Sequence, residues 1–176
     1  AVSLTATGAI TLAGANNLGG DVTFNGAAVT INDSTALTLA GASTATGNLV
    51  LTSSNGISQT GGSVSVTGAT TLTSAGKDIS LNQSGNAFAG TVGFSGVNVT
   101  LGASGALALA ASTATGRLDV STSGAMTQAG VLNVAGLITL AATDITLGLA
   151  NSFSNDLKFT GANVTINDAL GSLNLT

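Results

Sequence analysis

Residues 92–101 read VGFSGVNVTL, with apolar residues at alternate positions on both sides of one glycine, Gly96. The same unit recurs along the chain: apolar–x–apolar–x–Gly, two or three residues, then apolar–x–apolar. It reads VTFNGAAVTI at 22–31, STATGNLVL at 43–51, SVSVTGATTL at 63–72, STATGRLDV at 112–120, LNVAGLITL at 132–140 and LKFTGANVTI at 157–166. Its glycines are Gly26, Gly47, Gly68, Gly96, Gly116, Gly136 and Gly161, spaced by 21, 21, 28, 20, 20 and 25 residues. Period-two alternation with many β-branched residues marks short strands, and a recurring step of this length marks a solenoid.

Each step holds three such strands, as at 132–134, 138–140 and 145–147 around Gly136, separated by Gly, Asn-Asp, Ser-Asn-Gly and Ala-Gly turns. A strand of three residues cannot bury its apolar side alone. Stacking coil upon coil gives a continuous core, so the fold class expected is all-β, a parallel β-helix with three short strands per rung of about 20–21 residues. The lack of proline agrees with this, because an interior rung needs each N–H for its neighbour.

The steps also group in threes, since Gly26 to Gly96 is 70 residues and Gly96 to Gly161 is 65. NNLGG at 16–20 matches NAFAG at 86–90 and NSFSN at 151–155; GKDISL at 76–81 matches ATDITL at 142–147. This divides one β-helix segment, cut from a longer repeat protein, into superrepeats 16–85 and 86–150 of three rungs each, with partial superrepeats 1–15 and 151–176. Two residues before each glycine stand Phe24, Ala45, Val66, Phe94, Ala114, Val134 and Phe159. Rungs stacked in register on the glycines would place each Phe between a Val and an Ala, the size compensation that close packing requires. The glycines themselves are expected to take positive φ or to let two turns approach closely.

Composition removes much chemistry. The chain has no Cys or His, and three cations (Lys77, Arg117, Lys158) face seven Asp, for a net charge of −4. A thiol nucleophile, a Ser–His pair and a structural zinc site are thereby excluded. Phosphate neutralisation needs clustered Lys or Arg, so no nucleic-acid partner is expected. No apolar run reaches the length of a membrane helix. No catalytic, cofactor-binding or metal-binding residue is assigned, and an enzyme is not expected.

The run from 86 to 101, repeated at 151–166, together with the A-L-x-L and D-I-[ST]-L strands, resembles the repeat shafts of filamentous haemagglutinin-like adhesins, the exoproteins of bacterial two-partner secretion. The likeness covers the whole chain. It implies a right-handed β-helix, export through an outer-membrane transporter, and a secreted rod at the Gram-negative cell surface. Neither the family's secretion domain nor a receptor-binding tip is among these residues.

Four features invite a functional reading, each beside a plainer one. Asp33 and Asp168 follow Asn in turns, and Asp78 and Asp144 precede matching strands; a calcium ion would need six to eight oxygens, so turn residues bonded to backbone N–H groups are expected. Thr30, Val50, Thr71, Thr100, Asp119, Thr139 and Thr165 form one expected outward column, which Val50 and Asp119 spoil as an ice-binding array. Asn32, Asn82, Asn98, Asn163 and Asn174 begin N-x-[ST] triplets, which this composition also produces by chance. Leu18, Phe88 and Phe153 lie in the extra residues of the long step; these emerge as a line of loops, a place for ligand, or tuck the apolar residue back over the core.

The expected function is a stiff shaft segment of a surface adhesin or extracellular filament, serving cell adhesion or biofilm contacts. Host receptors, bacterial receptors or polysaccharide would be met by other regions, and self-association of the rod, end to end or laterally, is a further expected contact. The alternatives are a glycan- or ice-binding module and, less favoured by the charge inventory, a β-helical polysaccharide-degrading enzyme.

Overall fold

Alternation of buried and exposed residues runs through nearly every strand of the computed structural model, which describes residues 1–171. Among these there are 23 strands and no helix, and every strand pairing is parallel. The strands gather into two sheets of 12 and 11 strands, the walls of a parallel β-solenoid of about eight turns. Its single core of Val, Leu, Ile and Phe side chains runs the length of the rod. Only in the end turns are the inward residues partly open; Val2 and Leu4 at one end and Val164 and Ile166 at the other are half-buried, and Phe159 is 40% exposed.

Most turns hold three strands, as expected, because one wall is bent into two. In the first half of the rod the bent wall carries Leu37–Leu39 with Ser43–Ala45, Ile57–Gln59 with Val64–Val66, and Ile79–Leu81 with Ala87–Phe88. The straight wall opposite carries Val29–Asp33, Leu49–Ser53, Thr70–Ser74 and Thr91–Gly96. Strand Thr91–Gly96 is then covered by two strands at once, Leu107–Leu109 on its first half and Ser112–Ala114 on its second. From there on the bend lies in the other wall.

This transfer corrects the expected count of three turns per superrepeat. Strand Asp21–Gly26 belongs to one sheet and its counterpart Thr91–Gly96 to the other. Between them the chain crosses from wall to wall seven times, so a superrepeat takes three and a half turns, and its next copy faces the opposite side.

The register differs from the glycine spacing for the same reason. Gly26 pairs with Ala45, and Val66 with Phe88, so the column reads Gly26–Ala45–Val66–Phe88. The next superrepeat repeats it as Gly96–Ala114–Val134–Phe153. Side chains grow along the axis within each superrepeat and start again from glycine. Phe24 therefore does not stack on Ala45; it lies over Leu4, and its N–H reaches the Ser43 hydroxyl on the other side. Phe94 sits between Leu72 and Ser112 in the same way. Size compensation is present, but within the pair of inward positions on each turn: Phe beside Gly, Ser beside Ala, Val or Leu beside Val.

None of the seven recurring glycines has positive φ. Close approach is what requires them: a Cβ on Gly68 would stand 2.7 Å from the carbonyl carbon of Gly47, and one on Gly136 2.6 Å from that of Gly116.

Candidate functional site

The long step does not emerge as a binding loop. Ala87–Phe88 pairs with the strand below, and Phe88 and Phe153 are 3% and 0% exposed. Leu18, in the first turn, is half-buried against the core. The added residues are used instead to bring an asparagine inside. Asn86 and Asn151 have no solvent exposure. The Oδ1 of Asn86 accepts the Val64 N–H (2.8 Å) and the Gln59 amide (2.8 Å); its Nδ2 donates to the Gln59 Oε1 (2.9 Å) and to the carbonyls of Leu81 and Gly102 (3.2 Å each). Asn151 repeats the arrangement with Gln128 (2.6 and 3.2 Å), the Leu132 N–H (2.9 Å) and the carbonyls of Leu147, Leu149 and Asn167. Asn16 donates to Leu12, Gly14 and Asn32 carbonyls in the first turn. A buried amide whose bonds are all made fixes its surroundings in one geometry. These pairs tie each turn to the next from inside the rod.

Sequence reasoning read the Asn motif but missed its partners. The visible signal was a Gln at an inward position otherwise held by Leu: Gln59 pairs with Leu39, and Gln128 with Leu109.

The carboxylates are dispersed, and each acts within its own corner. Asp78 Oδ1 accepts both the N–H and the side-chain amide of Asn98, one turn on (3.0 Å each), and Asp144 does the same for Asn163 (3.1 and 2.7 Å). In the first copy the corresponding residues are Ala9 and Ala28, so both partners are replaced together. Asp33 is buried; its Oδ1 accepts the Thr35 N–H (3.0 Å) and hydroxyl (2.9 Å), while its Oδ2 has no partner. Asp168 Oδ1 accepts the N–H of Phe153 (3.0 Å). Among the described residues no three acidic side chains converge to hold a metal ion.

The expected outward column divides across three. Thr30, Val50 and Thr71 stack, and Gly93 follows them. Thr100, Asp119 and Thr139 stack on the opposite wall, and Lys158 follows. Thr165 lies over Thr146 in another column. Two outward columns are polar without a break, the first of them including the Thr100 stack. One wall carries Asp21–Thr38–Ser58–Ser80–Thr100–Asp119–Thr139–Lys158. The other carries Asn32–Thr52–Thr73–Ser95–Thr113–Asn133–Ser152. Both walls thus present hydroxyls and amides to water at each turn.

Of the N-x-[ST] asparagines, Asn32 bonds the Ala13 carbonyl, and Asn98 and Asn163 are held by the aspartates. Asn82 is exposed in the turn at 82–85; Asn174 lies outside the described residues. Surface grooves are shallow. One of about 360 Å³ lies over the turns at 54–58 and 76–80 and is lined by Asn55, Ser58, Lys77, Asp78 and Ser80.

A family model described as repeats of unknown function (DUF5649) matches residues 26–95 and again 96–160, each unit beginning at the glycine that opens a size-graded column. Comparison with curated proteins and with solved structures finds no match. The two matched units span most of the chain, which belongs to this family of repeats.

Proposed function

We propose that this chain is a section of the shaft of a secreted bacterial adhesin or extracellular filament, a stiff spacer that holds a contact region away from the cell. The observation that carries the reading is the single core running through every turn between two fully paired walls. About eight turns at strand spacing make a rod about 38 Å long. Stiffness follows from backbone hydrogen bonds parallel to the axis, while the charge-poor outward columns offer hydration over the whole surface. In this reading receptor and polysaccharide contacts belong to other regions of the parent protein, and an outer-membrane transporter handles its export. Antibodies raised against the segment should stain intact cells of the source bacterium, and deletion of the transporter should abolish the stain. Staining that requires permeabilised cells would overturn the surface assignment.

A further inference from the structure

The chain contains two Asn-Gly pairs, Asn25-Gly26 and Asn55-Gly56. Both asparagine side chains are exposed. Their backbones differ. Asn25 and Gly26 lie inside strand Asp21–Gly26, paired with Thr44 and Ala45, and Gly26 is buried. Asn55 and Gly56 lie in the turn between Leu49–Ser53 and Ile57–Gln59, where Gly56 takes φ +104°. The Gly56 carbonyl accepts the Leu37 N–H (3.0 Å) and the Asn55 N–H donates to the Ser53 hydroxyl (3.2 Å), but among the described residues the Gly56 N–H donates to nothing and the Asn55 side-chain amide has no partner.

We propose that Asn55 is a site of spontaneous covalent modification in the folded rod, and that the sheet protects Asn25 from the same reaction. The Gly56 nitrogen bonds to Cγ of Asn55, the Cγ–Nδ2 bond breaks, and ammonia leaves with the proton lost from the Gly56 nitrogen. Water then opens the cyclic imide at one of its two carbonyls, leaving aspartate or isoaspartate at position 55. Glycine permits the ring to close because no Cβ crowds its nitrogen. A turn free at that nitrogen supplies the necessary rotation, whereas Asn25 would first have to leave its wall. The product places a carboxylate in the groove that Lys77 also lines. The isoaspartate form also adds a methylene to the backbone at residue 55, just before the Gly56–Ile57 peptide group that makes two inter-turn bonds, Leu37 N–H to Gly56 O and Ile57 N–H to Asp78 O. The modified turn therefore loosens this corner while the walls stay paired.

Peptide mapping of the folded protein, held at mildly alkaline pH and sampled over days, tests the proposal against the same chain in denaturant. The expected result is the mass gain of one NH2-to-OH exchange at position 55, with isoaspartate detected there and Asn25 intact; in denaturant both positions convert at similar rates. Asn55→Gln should abolish the gain in the folded rod. Equal conversion of Asn25 and Asn55 in the folded protein would overturn it, as would an Asn55 that converts only in denaturant.

Discussion

Asn86 is a polar side chain placed where an apolar one would cost nothing to desolvate, and it is retained because its amide completes bonds that nothing else nearby can make. Removing it strands a backbone N–H, two carbonyls and the Gln59 amide inside the rod. Each orphaned buried group costs about 1–3 kcal/mol, and relaxation recovers part of the sum, so Asn86→Ala should cost about 3–5 kcal/mol. Denaturant unfolding measures this. Adding Gln59→Leu should cost less on the Asn86→Ala background than on the parent, because the glutamine has already lost its partner. Costs that simply add would mean that the two amides do not act as a pair. Ser43 and Ser112 show the same logic at smaller scale: each is buried, accepts the N–H of the Phe beside it and donates to a carbonyl two residues back. That is why STATG recurs where a plain apolar residue would have packed.

At the scale of the strand, alternation made the elements and their inward residues legible: Phe24, Val29, Ile31 and Leu37 all face the core as the period demands. Register was not legible, for a physical reason. Alignment on the glycines treats each as the same corner, but Gly26 and Gly96 are inward residues of long strands, while Gly47, Gly68, Gly116 and Gly136 are corners where two backbones touch. The same letter answers two different constraints. The 28-residue step read as a rung with a loop because the strand Ala87–Phe88 has only two residues, too few to show a period. The chain's lack of cysteine permits a direct test. Cysteines at Thr100 and Asp119 sit opposite one another on adjacent parallel strands, within the Cα separation a disulfide spans, and should oxidise to a cross-link. Cysteines at Thr71 and Thr100, consecutive in the glycine alignment, lie on opposite walls and should not. Non-reducing gel mobility and mass spectrometry distinguish the two, and the reverse outcome would refute the register.

For the whole molecule, the half-turn in each superrepeat has a mechanical consequence. The bend lies in one wall for three turns and then in the other, so neither wall is the weaker side along the full rod, and a longer array would resist bending alike in two opposite directions. What holds the rod extended is equally visible in its inventory. Only 6% of residues are charged and the net charge is −4, too little repulsion to stretch a chain whose core did not pack. Length should therefore come from stacked turns alone. Between about 0.01 and 1 M salt the screening length falls from about 30 to 3 Å, which removes charge repulsion at the scale of the rod. Small-angle scattering over that range should return the same maximum dimension and the same cross-section throughout. Apolar burial strengthens slightly at high salt and can only reinforce the packed state. Contraction as salt is added would mean that repulsion, not packing, sets the length, and the shaft reading would fall with it.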